Sequence, residues 1–70
     1  SFDLAVLALK ERAFADLGMR ALWIGHYDGN HGSRRVAEKC GFVYHHTEPA
    51  KESPLGDIRT EHFLVCRLNC

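Results

Sequence analysis

Apolar residues crowd the first seventeen positions without settling onto one stripe. Phe2, Val6, Leu9, Ala13 and Leu17 recur along one side of a helical wheel, whereas Leu4, Leu7, Ala8, Phe14 and Ala15 cover much of another. Ser1 to Leu17 therefore predicts a helix that needs cover on two sides, with Ser1 as its cap, Asp3 at its positive end and Gly18 as its stop. Met19 to Tyr27 holds Leu22, Trp23, Ile24 and Tyr27 between turn residues, which marks a strand of the more buried kind. Asn30 to Phe42 is a short helix with both ends signalled: Asn30 offers a capping oxygen, and Gly41 tolerates the left-handed backbone that closes a helix. Phe42 to Thr47 alternates as a second strand, Phe42, Tyr44 and His46 on one face and Val43, His45 and Thr47 on the other. Glu48 to Asp57, with Pro49, Pro54 and Gly56, predicts a loop and the most mobile stretch. Ile58 to Leu68 predicts a third strand.

This order defines an α+β (α/β) chain: helix, strand, helix, strand, strand, with a three-stranded mixed sheet. A strand–helix–strand crossover is right-handed and leaves its two strands pointing the same way. The last strand can lie between them, antiparallel to both. Ala21 to Tyr27 then sits at an edge, where an apolar strand invites pairing with another chain.

Composition narrows the classes. Seventy residues make at most one domain, and a chain of that size buries only about 60% of its unfolded surface, so a partner or a further segment would help it. No apolar run is long enough to span a bilayer. Nine basic and nine acidic side chains cancel, which removes the global field that would favour nucleic acid or an anionic membrane. Cys40, Cys66 and Cys70 form no Cys-x-x-Cys pair and no signal peptide precedes them, so a cytoplasmic setting is expected. Cys40 and Cys66 fit a packed interior, and Cys70 is the thiol expected to react in air.

The segment Asn30-His-Gly-Ser33-Arg-Arg-Val-Ala-Glu-Lys39-Cys-Gly41-Phe42 carries the most specific pattern. With a strand and short turn before it, it resembles the late helix of the GCN5-related N-acetyltransferases, in particular the group containing the ribosomal-protein acetyltransferases. Asn30, Ser33, Lys39, Gly41 and Phe42 fall in register with that group's Asn-x-x-Ser-x-x-x-x-x-Lys-x-Gly-Phe. The resemblance covers nearly the whole chain but only the C-terminal portion of the acyl-CoA N-acyltransferase fold. Residues 1–70 are thus expected to be a single partial acetyltransferase domain, lacking the N-terminal strands and the pyrophosphate-binding loop.

Acetyl-CoA as cosubstrate and an amine as acceptor follow from the resemblance. It implies that Asn30 meets the pantetheine or acetyl end of the cofactor and that Ser33 adds a hydroxyl contact. Helical geometry puts Ser33, Val36, Ala37 and Cys40 on the inward face, with Arg34 flanking it as the candidate for a CoA phosphate and Arg35 and Lys39 pointing away. Many members carry a tyrosine, and some a serine, as the general acid seven residues after the asparagine; here Ala37 stands there. No catalytic acid or base is therefore assigned, and weak or absent activity is expected of the chain alone. The competing expectation is a noncatalytic half-fold association module, a homo-oligomer or the partner of a missing N-terminal half. Metal is not expected: His45 and His46 are adjacent in a strand and should point to opposite faces, and nothing completes a set with His62. The Tyr44 to Thr47 run lies where the resemblance places the acceptor side.

Overall fold

The computed structural model describes residues 2–68; the expected cap at Ser1 and the thiol of Cys70 lie outside them. In chain order the elements are α1 (Phe2–Ala15), β1 (Ala21–Tyr27), α2 (His31–Lys39), β2 (Val43–Glu52) and β3 (Ile58–Arg67). The sheet order is β1-β3-β2, with β3 antiparallel to both neighbours. The expected mixed sheet is corrected on this point. The α2 crossover gives β1 and β2 the same direction, but β3 separates them, so every hydrogen-bonded pair is antiparallel.

The short helix α2 forms because its ends are satisfied. The Asn30 side chain accepts from the Ser33 N–H at 3.2 Å, relieving one of the unpaired donors of the first turn. At the other end Gly41 takes φ 90°, while the Phe42 N–H reaches the Ala37 carbonyl at 3.0 Å and the Gly41 N–H reaches Glu38 at 3.1 Å. Those two bonds make a Schellman closure, and Phe42 and Ala37 pack together in the core beneath it. Lys10 of α1 then donates to the Cys40 carbonyl at 2.8 Å, a cation at the negative end of α2.

Ala37, Cys40, Phe42, Leu64 and Cys66 form the core, with Val6, Phe14, Leu22, Ile24 and Val36 against it. Only Ala13 of α1 is buried, whereas Phe2, Leu4 and Leu9 are 69, 66 and 63% exposed. The covered stripe runs through Val6, Lys10, Ala13 and Phe14, between the two expected sides, and each side keeps exposed apolar residues: Phe2 and Leu9 on one, Leu4 and Leu7 on the other.

The second strand runs beyond its expected end. β2 continues through Pro49 to Glu52, and the connection to β3 shrinks to Ser53–Asp57, closed by bonds from Ser53 N–H to Asp57 and from Gly56 N–H to Ser53. Two register shifts, between Tyr44 and His46 and between Glu48 and Lys51, make this possible. Pro49 lies in the second shift on an edge strand, where its missing N–H does least harm. There the Ala50 N–H finds the Thr60 hydroxyl at 3.1 Å.

Candidate functional site

A groove of about 260 Å³ opens between α1, β1 and α2. Its walls are apolar, from Phe2, Val6 and Leu9 on α1, Leu22 to Gly25 on β1, and Val36 and Phe42 opposite; Ser33 is the lone hydroxyl on its rim. Asn30 stands exposed one turn before Ser33, held by its own N–H to the Tyr27 carbonyl at 3.1 Å and by its capping bond. The structure therefore brings Asn30 and Ser33 together at the groove end of α2.

Arg34 lies elsewhere. Its guanidinium sits 5.3 Å above the Tyr44 ring on β2, and its Nε donates to Glu38 Oε2 at 3.1 Å. Helical rotation of about 100° per residue separates it from Ser33. Ala37 is fully buried against the sheet, so a side chain at that position faces the core.

A polar chain that the sequence did not announce crosses β2 and β3. The hydroxyls of Tyr44 and Thr47 are 2.7 Å apart, Thr47 Oγ1 is 2.9 Å from His62 Nδ1, and His62 Nε2 is 2.8 Å from Asp28 Oδ1. A carboxylate only accepts, so the His62 proton sits on Nε2 while its Nδ1 accepts from Thr47. The His26 ring lies beside it, tilted by 37° with ring centroids 5.2 Å apart; its Nδ1–H donates to the Tyr27 carbonyl, leaving Nε2 buried with no partner. Only the cross-strand register, Thr47 to His62 and His26 to His62, could have revealed this assembly.

On the opposite sheet face the first register shift overturns a sequence expectation. His45 and His46 do not point apart: their Nδ1 atoms are 2.8 Å from one another and their ring centroids 5.0 Å. Nearby, the Lys51 ammonium bonds Glu48 and holds its carboxyl below the usual range, while Glu48 raises the Lys51 ammonium in return. Among the described residues no group of three or more His, Cys, Asp or Glu converges as a metal-binding set, and no helix is long and apolar enough to cross a membrane. Cys40 and Cys66 are free thiols in the core.

This arrangement of helix, crossover and antiparallel strands is that of a GNAT-type acyl-CoA N-acyltransferase. The family pattern described as "Acetyltransferase (GNAT) domain" matches residues 3–43, more than half of the chain, and the chain belongs to that family. A crystal structure named "probable acetyltransferase" superposes with a TM-score of 0.88 at 22% identity, over 97% of this chain and 38% of that one. A GNAT-family acetyltransferase from Bacillus anthracis gives 0.84 at 17%, over 93% and 39%. The microcin C7 self-immunity acetyltransferase MccE, solved in complex with acetyl-CoA and AMP, gives 0.79 at 19%, over 96% and 37%. Likeness at these identities concerns the fold, and the chain spans less than two-fifths of each structure. No curated protein matches it in sequence.

Proposed function

We propose that this chain forms the acetyl-CoA-facing part of an N-acetyltransferase domain that moves an acetyl group from acetyl-CoA to an amine. The observation that carries this reading is the apolar groove with Ser33 on its rim and Asn30 beside it, a shape suited to a thin, mostly apolar ligand arm with a few polar groups. The acetyl-CoA complex of MccE, a structural neighbour, supports the choice of cosubstrate. In this reading the Asn30 amide donates to a carbonyl of the pantetheine or acetyl end, and the Ser33 hydroxyl adds a second contact. Arg34 faces Tyr44 rather than the groove, so to serve a CoA phosphate it has to swing off that ring and leave Glu38. That exposed pair is worth about 0.3–0.5 kcal/mol and yields readily to a phosphate.

The amine nitrogen attacks the thioester carbonyl carbon and the carbon–sulfur bond breaks. The amine loses a proton and the departing thiolate gains one. Ala37 supplies neither, so the chain alone is expected to bind better than it turns over. Further strands of a larger acetyltransferase domain would pair the outer edge of β1 and cover α1. The buried free thiols suit a reducing, cytoplasmic setting.

Thermal unfolding with acetyl-CoA tests the binding claim. A ligand at tenfold its Kd adds about 1.4 kcal/mol, and Ser33→Ala should reduce the response. No stabilisation at millimolar acetyl-CoA would refute it. A second reading, a noncatalytic association module, is favoured by the exposed apolar residues of α1; sedimentation showing a dimer indifferent to acetyl-CoA would select it.

A further inference from the structure

We propose that His45 and His46 form a two-imidazole chelate for a square-planar divalent ion, copper(II) ahead of nickel(II). Adjacent strand residues ordinarily face opposite ways, but the register shift between Tyr44 and His46 turns both rings onto one face. Their Nδ1 atoms lie 2.8 Å apart and share a hydrogen bond, so once that proton is moved both nitrogens are within reach of a single ion. With metal–nitrogen bonds of about 2.0 Å, that separation subtends about 90° at the metal, the angle between neighbouring ligands in square-planar coordination. A tetrahedral ion such as zinc would need the two nitrogens about 3.3 Å apart.

Both rings are held in place. His46 stacks on Phe63 with centroids 4.9 Å apart and planes 13° from parallel, and Trp23 meets His45 edge-on at 4.8 Å. Glu48 Oε2 lies 3.6 Å from His46 Nε2, beyond hydrogen-bond length but close enough to favour the proton on that nitrogen, which leaves Nδ1 as the ligand atom. His45 Nδ1 then carries the shared proton. On metal binding that proton moves through solvent to His45 Nε2, so both rings remain neutral and no net proton is released. Half-exposure of the pair leaves the remaining coordination positions to water or a small oxygen or nitrogen ligand.

Trp23 is the sole tryptophan of the chain and reports on the site directly. Copper(II) titrated into the chain should quench its emission saturably, with nickel(II) weaker and zinc(II) weaker still. His45→Gln and His46→Gln should each weaken the response by at least the about 10–100-fold typical of losing an outer-shell partner, and Glu48→Gln by about tenfold. His31→Gln, away from the site, should leave it unchanged. Electron paramagnetic resonance of the wild-type copper complex should count two imidazole nitrogens, a readout independent of how the variants fold. Absence of saturable quenching up to about 100 μM, quenching as strong as wild type in either histidine variant, or fewer than two coordinated imidazoles would overturn the proposal; the acetyl-CoA reading stands or falls separately.

Discussion

Asn30 caps α2 and is proposed to meet acetyl-CoA, and two substitutions separate these roles. Asn30→Ala removes the oxygen that accepts from the Ser33 N–H, a loss of about 1 kcal/mol for a helix cap. Unfolding entropy of about 2.1 cal/mol/K per residue gives a 70-residue chain about 150 cal/mol/K. The melting midpoint should therefore fall by about 7 °C. Asn30→Asp keeps a capping oxygen and places negative charge at the positive end of α2, worth about 0.3–1 kcal/mol in the stabilising direction; its midpoint should equal or exceed the wild type. A carboxylate cannot donate a hydrogen bond, however, and the lost contact to a cofactor carbonyl, about 1 kcal/mol, corresponds to about fivefold weaker acetyl-CoA binding. Circular dichroism melts and isothermal titration calorimetry read the two effects independently. An alanine variant as stable as wild type would remove the cap from the account. An aspartate variant that binds acetyl-CoA like wild type would reduce Asn30 to a cap alone.

Gly41→Ala would force a left-handed backbone at φ 90° and set a Cβ 3.0 Å from Lys10 Nζ, so urea unfolding should show a loss of about 1–2 kcal/mol. Leu64→Ala, emptying a fully buried site, should cost about 2–5 kcal/mol, whereas Leu4→Ala at an exposed position of α1 should stay within about 0.5 kcal/mol; equal losses in the same denaturation series would contradict the assigned core. Glu48 titrates below its ordinary value because of Lys51 first and His46 next. Its contribution is present above the unfolded carboxyl pKa and disappears as pH falls through the folded one, and that of Lys51, raised by Glu48, disappears as pH rises through its own. Lys51→Met should accordingly move the Glu48 midpoint upward in a carboxyl-detected NMR titration, and an unmoved midpoint would deny the pair. Ala37→Tyr, an attempt to install the missing acid, should destabilise by about 1–3 kcal/mol through overpacking and leave acetyl transfer no faster; a gain in rate would refute the inward placement of that position.

The order of five elements was legible because each carries its own punctuation: Gly18 after α1, the Asp28–Gly29 turn after β1, and Asn30 and Gly41 around α2. The neighbouring of β3 and β2 was legible too, since few sheet orders satisfy a right-handed crossover. What escaped was everything that depends on register. Pro49 reads as a strand breaker, yet a register shift on an edge strand absorbs it. The same class of irregularity puts His45 and His46 side by side, against the alternation that local sequence dictates. The chain from Tyr44 to Asp28 joins residues as far as 34 positions apart, and no local pattern encodes such a meeting.

Helix α2 divides the molecule into separate chemistries, and its nine residues are enough to do so. Ser33 and Val36 turn toward the groove, Ala37 and Cys40 toward the sheet, and Arg34 with Glu38 toward Tyr44 on β2. The polar chain ends at Asp28, two residues before Asn30, which caps α2 beside the groove-lining Ser33. A ligand held in the groove by Asn30 and Ser33 would bring its reactive end to the Asp28–Gly29 turn rather than to Ala37. Proton transfer for the proposed reaction then has to be sought around the turn or on the elements that cover β1, not on the inward face of the helix.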